Sequence, residues 1–319
     1  MALPDILKKN VRVPVVGAPL FIISHPPLVT AQCKAGIVGS FPTLNARPIE
    51  QLDEWFHEIK EDLAAHDAAN PDRPAAPFAA NLIVHRSNFR LEKDLELVVK
   101  HKVPIVITSL GARPEVNEAV HSYGGITLHD VINQKFCRKA IEKGADGLIL
   151  VAAGAGGHAG KQSPFAIVQE TREWFDGPLL LSGSIATGRA VLAAQAMGAD
   201  MGYVGTRFIA SQEARAVDEY KQILVDDIAE DIVGSNLFTG VFGNYMKNSI
   251  KNAGMDPEAL PESDPSKMNF GGADAKAWKD IWGAGQGLGA IKDVPSAGEI
   301  VERFKAEYDQ ALAGLNAAR

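Results

Sequence analysis

Between residues 12 and 204 the chain alternates a short apolar run with a longer stretch of helical period, eight times over. The runs cover residues 12–18, 36–40, 78–83, 103–109, 125–130, 146–152, 178–182 and 201–204. Between them lie helical segments over 26–35, 48–65, 91–100, 133–143, 164–174 and 187–197, and one more that Pro114 opens. Leu52, Trp55, Phe56 and Ile59 show the i, i+3, i+4, i+7 spacing of an amphipathic helix. Strands that are apolar throughout must be covered on both faces, which points to a parallel sheet with helices outside it. Eight such units close a barrel, so the expected class is α/β, a (β/α)8 TIM barrel.

An open doubly wound sheet is the competitor. Gly154-Ala155-Gly156-Gly157-His158-Ala159 matches the dinucleotide pattern G-x-G-x-x-G/A letter for letter. Its context argues against that reading: five strand–helix units precede it, and the next helix starts only at Ser163-Pro164. After the eighth strand the pattern changes. A helical stretch over 214–230 and a polar, proline-bearing segment from Asp256-Pro257 to Asp264-Pro265 suggest a smaller, mainly helical lid that shapes a substrate pocket. The expected division is a barrel of residues 1–212 plus about 276–319, ending in an amphipathic helix over 297–312, with the lid over about 213–275.

Composition removes several classes of function. A formal net charge of −7 gives no reason to bind nucleic acid or anionic lipid. No apolar stretch approaches the roughly eighteen residues of a membrane span, and the N-terminus carries no secretory pattern. Cys33 and Cys137, both inside expected helices, offer no disulfide framework, and no zinc-ligand spacing occurs, so no metal site is expected. The expected location is the cytoplasm.

In a barrel of this kind the chemistry gathers where strands end. The sixth run ends in the glycine loop, whose one side chain able to move a proton near neutral pH is His158, the candidate catalytic residue. After the seventh and eighth runs come Ser182-Gly183-Ser184 and Gly205-Thr206-Arg207, small residues able to cradle a phosphate, with the helix opening at Thr187 offering its positive end. Arg207 could add charge there or serve as an outward ion-pair partner. Ala18, Pro19 and Leu20 end the first run, either kinked to pass close to a flat ligand or simply terminating the strand. Asn81 ends the third run, where an unbonded amide is costly, so a ligand contact is expected. His129 and Asp130, at the end of the fifth run, could face a ligand or pair with a neighbouring strand end.

Taken together, Pro14 to Leu20, Gly156-Gly157-His158-Ala159-Gly160, Ser182 to Gly188, Met197-Gly198-Ala199-Asp200, Val204 to Phe208 and Trp282 to Gly287 resemble the nitronate monooxygenase (2-nitropropane dioxygenase) family of FMN-dependent barrels. That family includes FMN-type enoyl-ACP reductases and some NAD(P)H:quinone reductases. The resemblance implies FMN as cofactor, with Gly183, Ser184, Gly205 and Thr206 at its phosphate and Ala18, Pro19, Leu20 and Asn81 at its ring. It also implies cofactor contacts by Asp130, Gly157, Ser182 and Gln286, and places His158 beside the flavin. The implied reaction is oxidation of alkyl nitronates or nitroalkanes by O2 to a carbonyl product and nitrite. The alternative is an NAD(P)H-dependent reductase acting on a quinone or enoyl thioester. Two departures stand out: Leu20 where Met is common, and Asp130 where relatives carry Gln or Lys. An ionised Asp130 cannot donate the hydrogen bond that those residues supply. A phosphate-binding isomerase or aldolase without flavin is disfavoured, because no Lys falls at a strand end to form a Schiff base.

Overall fold

The computed structural model describes residues 3–263 and 280–318. Its central sheet has eight strands: β1 (Val15–Gly17), β2 (Gly39–Pro42), β3 (Phe78–Ile83), β4 (Ile105–Ser109), β5 (Ile126–Val131), β6 (Gly147–Val151), β8 (Leu179–Ser182) and β9 (Met201–Val204). They run parallel in the order β1-β9-β8-β6-β5-β4-β3-β2. A parallel bridge between Val16 and Val38 joins the first strand to the last, with Gly17 N–H donating to Val38 O at 2.8 Å, and the cylinder closes. The fold is a TIM barrel.

Two strands differ from their expected spans for local reasons. β1 forms its ladder only from Val15, since Pro14 has no N–H to give. β2 begins at Gly39 because Gly36, at φ +96°, is still the left-handed cap of helix α2 (Pro26–Ala35). The remaining helices of the ring are α3 (Glu50–Ala69), α4 (Leu91–Lys100), α5 (Pro114–His121), α6 (Gln134–Glu142), α7 (Pro164–Arg172) and α8 (Gly188–Met197). Proline opens α2, α5 and α7 where a missing N–H costs nothing, and the Asn133 side chain caps α6 by accepting from Phe136 N–H.

Alternation along the strands sorts the core into two layers. Val16, Ala79, Ile105, Ile107, Leu128, Ile149, Leu180 and Met201 point inward and fill the lumen. Leu7, on the short N-terminal helix α1 (Asp5–Lys8), closes the bottom. Outward residues such as Phe78, Ala80, Leu82, Leu148, Leu150, Leu179 and Leu181 pack under the helices. The same period decides which polar side chains face inward at the top: Asn81, Ser109, Asp130, Ser182 and Tyr203. Cys33 and Cys137 are free, buried thiols.

The segment after β9 mixes helices with strands. It holds α9 (Thr206–Ile209), α10 (Asp218–Asp226) and α11 (Lys247–Asn252), but also strands β10 (Ile232–Ser235) and β11 (Gly243–Met246). These two pair antiparallel, and β11 pairs in turn with Gly157–His158, which forms the short strand β7. The expected barrel–lid boundary near residue 275, and the proline segment from Asp264 onward, lie outside the described residues. The chain ends in α12 (Ala297–Ala317), whose capping box is built by Ser296 and Glu299. Among the described residues no helix is long and apolar enough to cross a membrane.

Candidate active site

One cavity of about 850 Å³ opens at the C-terminal ends of the barrel strands. Of the expected site residues, Ala18, Pro19, Leu20, Asn81, Asp130, Gly157, His158, Ser182, Gly183, Ser184, Gly205 and Thr206 all line it. Gln286 does not. Its side chain is exposed, and its backbone N–H donates to Gly154 O at 2.9 Å, while its neighbours Gly285 and Gly287 reach the wall. The single cis peptide among the described residues is Arg47–Pro48, so Pro19 ends β1 with a trans bond.

The glycine loop is held more firmly than its composition suggests. Gly243 sits opposite His158 and Asn244 opposite Gly157 in the small sheet, and Asn244 Nδ2 donates to Ala155 O at 2.7 Å. A Cβ on Gly156 would fall 2.6 Å from Gly285 N, so the loop also packs directly on the C-terminal return of the chain. This places His158 Nε2 at 3.0 Å from Thr239 Oγ1. The Thr239 hydroxyl also reaches Val241 O at 3.1 Å. Burial of the ring disfavours the imidazolium and lowers its pKa to about 4. Thr239 was not legible in the sequence, for it lies 81 residues downstream of His158 with no motif around it.

Deeper in the cavity a chain of hydrogen bonds crosses three strands. Asn81 Nδ2 donates to Ile107 O at 3.1 Å and to Ser109 Oγ at 2.8 Å, and Ser109 Oγ donates to Asp130 Oδ2 at 2.6 Å. Asp130 Oδ1 and Tyr203 Oη are buried without a hydrogen-bond partner. Burial raises the Asp130 carboxyl to about 7 despite the Ser109 bond, so a large neutral fraction persists at physiological pH. A neutral carboxyl can donate, and with Oδ2 already accepting from Ser109 the acid proton belongs on Oδ1. The hydrogen bond that an ionised Asp130 cannot donate is open to this neutral form. Alternation turns the His129 ring to the other face, where Nδ1 lies 2.6 Å from Thr108 Oγ1 and burial lowers its pKa to about 4.

At the opposite wall Gly183 adopts φ +135° and Ser184 φ +56°, and a Cβ on Gly183 would fall 2.7 Å from Ala153 O. A Cβ on Gly205 would lie 3.3 Å from Leu20 Cδ2 and 3.5 Å from Ala18 Cβ, so Gly205 packs beside the end of β1. The expected help from the end of α8 is absent. Thr187 Oγ1 accepts from Ala190 N–H, the Glu307 carboxylate accepts from Gly188 N–H at 2.7 Å, and neither Thr187 nor Gly188 lines the cavity. Arg207 takes the ion-pair alternative: it is buried, and its guanidinium donates to Ala210 O and to both Asp293 O and Asp293 Oδ1.

Outside the cavity, folding brings together Asp53, His57 and His101, which no sequence spacing announces. Asp53 accepts there from Lys100 Nζ at 2.8 Å and faces His101 Nε2 at 2.6 Å, a charge network between α3 and α4.

Comparison with known proteins agrees with this geometry. The nitronate monooxygenase family profile matches residues 4–307. The chain belongs to the nitronate monooxygenase family. A nitronate monooxygenase of Neurospora crassa is 23% identical, over 95% of this chain and 91% of that protein. Among solved structures, a nitroalkane oxidase from Streptomyces ansochromogenes superposes with a TM-score of 0.80 at 22% identity, over 97% of this chain and 99% of that one. FabK from Thermotoga maritima gives a TM-score of 0.77 at 22% identity, over 99% and 98%. The two superpositions match the fold. Family membership makes the chain an oxidoreductase of nitro compounds.

Proposed function

We propose that this family member holds FMN in the strand-end cavity and oxidises alkyl nitronates, or the parent nitroalkanes, with O2 to a carbonyl product and nitrite. The observation that carries this reading is the layout of one cavity. Glycine loops after β8 and β9 lie at one wall, an inward polar layer of Asn81, Ser109 and Asp130 lies deep, and a neutral imidazole stands at the side.

The residues fit such a cofactor. Gly183, Ser184, Gly205 and Thr206 would hold the phosphate, in a cradle that a Cβ on Gly183 would disrupt. Ala18, Pro19 and Leu20 would lie along the ring, and the unpartnered polar atoms of Asp130 and Tyr203 stand where a ring edge rich in hydrogen-bonding groups can use them. When bound, FMN supplies the electron transfer and the reaction with oxygen, while the protein supplies binding, orientation and electrostatics.

His158 then has two duties. With a neutral nitroalkane, the neutral His158 ring takes the proton from the carbon next to the nitro group, while the 3.0 Å contact between Nε2 and Thr239 Oγ1 holds the ring in place. With a nitronate no proton need move, and the ring only orients the nitro group. Burial that disfavours an isolated imidazolium disfavours it less beside an anion, so a substrate that becomes negative as it loses its proton stabilises the protonated ring.

Anaerobic mixing separates this activity from the reductase alternative. A protein that is yellow, is not bleached by NADH or NADPH, and consumes oxygen with a nitronate supports the proposal. Rapid bleaching by either nucleotide, without oxygen uptake on nitronates, overturns it in favour of a reductase.

A further inference from the structure

The rim of the cavity has a charge and a polarity that the proposed cofactor does not use. The protein has 39 acidic against 32 basic residues, yet among the described residues the permanently cationic side chains lining this cavity are Arg47, Lys139 and Arg215, and the one lining carboxyl is the deep-set Asp130. All three cations are exposed, and none forms an ion pair with a described carboxylate. They surround the mouth. Arg47 follows β2, and its guanidinium lies 5.4 Å from the centre of the Phe21 ring. Arg215 is tied by its N–H to Ile23 O on the same loop, while Lys139 stands across the barrel on the helix after β5.

The apolar side chains there are also unusual. Ile22 is 40%, Ile132 38%, Phe136 42% and Val217 60% exposed, and all four line the cavity. Scattered exposed apolar residues are ordinary, but a cluster around one opening marks a binding surface. Each cation has an apolar neighbour: Lys139 lies one helical turn from Phe136, Arg215 two residues from Val217, and Arg47 over Phe21.

We infer that the second ligand of this cavity is an amphipathic anion, a small molecule with an aliphatic body of several carbons and a carboxylate or phosphate group drawn to the rim by the positive field of Arg47, Lys139 and Arg215. The apolar body lies against Ile22, Phe136 and Val217, between the rim and His158. This deepens the proposed function and rests on the glycine-loop wall being taken by FMN, which leaves the cationic rim for the substrate. The anionic group recognised here is distal to the reacting atoms, so the class is distinct from short nitroalkanes.

Calorimetric titration of the purified full-length protein with octanoate, octyl phosphate, 1-octanol and acetate tests the inference, with flavin content read from absorbance in parallel. At least one eight-carbon anion should bind about tenfold more tightly than octanol and than acetate, and the preference should shrink with added salt. If octanoate alone is preferred, the rim reads a carboxylate; if octyl phosphate alone, a phosphate. Exposed cations each contribute little, so the triple variant R47Q/K139Q/R215Q should lose about tenfold in anion affinity while octanol binding and flavin content stay unchanged. Should the triple variant fail to fold, each single variant should lose about two- to threefold. Equal binding of octanol and the anions, acetate binding as tightly as octanoate, or an anion preference that survives the substitutions overturns the inference. Failure of every eight-carbon probe to bind at millimolar concentration overturns it too, in favour of a larger partner. Colourless protein that takes up no FMN instead defeats the cofactor assignment, whatever the rim does.

Discussion

Ser109 Oγ stands 2.6 Å from Asp130 Oδ2 because Asn81, itself oriented by Ile107 O, fills the acceptor side of that hydroxyl. The result is a carboxyl with one oxygen satisfied and the other buried without a partner. Burial moves its pKa from 3.8 up to about 7, so in the pH range between those values the folded chain keeps a proton that the unfolded chain has released. Stability therefore declines as pH rises from 4 to 7 and has lost this contribution above that. Asp130→Asn keeps an acceptor for Ser109 and cannot ionise. It should match the wild type at pH 4 and exceed it at pH 8, by about 2–4 kcal/mol, in urea unfolding. A difference that is the same at both pH values would show that Asp130 is ionised throughout.

His158 carries the opposite sign. Its pKa falls from 6.5 to about 4 in the folded protein, so the unfolded chain takes up a proton first as pH drops. Stability from this neutral ring is complete above pH 6.5 and is lost as pH falls towards 4. In catalysis the neutral form is present across the physiological range, and the His158 limb of a kcat/KM profile should appear only below about pH 5. A limb near 6.5 would mean that the ring is solvated.

Two substrates divide the roles of that ring. His158→Ala should slow turnover of a neutral nitroalkane by about 10²–10⁴-fold, the usual range for a lost general base, and of the preformed nitronate by much less. Thr239→Val removes the hydroxyl at 3.0 Å from Nε2 and should lower kcat with the nitroalkane while leaving flavin content intact. Equal losses on both substrates for His158→Ala would assign it to orientation alone.

The phosphate wall is sensitive to a single methyl group. Gly183 stands at φ +135°, and its added Cβ would lie 2.7 Å from Ala153 O, a backbone atom that cannot step aside. Gly183→Ala should purify with little or no flavin and should weaken FMN binding by at least about 1–3 kcal/mol, the cost of such backbone strain. Retention of stoichiometric flavin would remove this loop from the cofactor site.

A distant glycine tests what supports that wall. A Cβ on Gly188 would lie 1.9 Å from Phe304 O and 2.7 Å from Tyr308 N, so α8 and α12 meet backbone to backbone. Gly188→Ala must push them apart and break the bond from Gly188 N–H to Glu307. It should cost about 1–3 kcal/mol or more in urea unfolding. A midpoint like that of the wild type would mean that the helix pair adjusts freely.

Much of the barrel was readable because its strands are short and apolar throughout, and because helices open at Pro26, Pro114 and Pro164 and stop at Gly144 and Gly198, whereas Gly36, read as the start of a strand, caps α2. These signals act within a few residues of themselves, so a linear reading can find them. The period of two also carries Asn81, Ser109 and Asp130 to one inward layer, although only Asn81 and Asp130 were singled out. Ser109 was passed over as an ordinary end to an apolar run. The lid was less legible. β10 and β11 lack a strong alternating pattern and owe their pairing to the glycine loop, a contact between segments some eighty residues apart.

The sequence by itself determined the eightfold strand–helix order, the glycine positions that keep the mouth of the barrel open, and the presence of one histidine in the loop after β6. Tertiary structure alone decided the chemistry of the groups gathered there. It set the His158 ring against Thr239, raised the Asp130 carboxyl by burial, sent Arg207 to Asp293, and gave the end of α8 to Glu307. The reason is range: backbone preference and hydrophobic period are local, whereas desolvation and charge depend on whatever distant segments fold against a group.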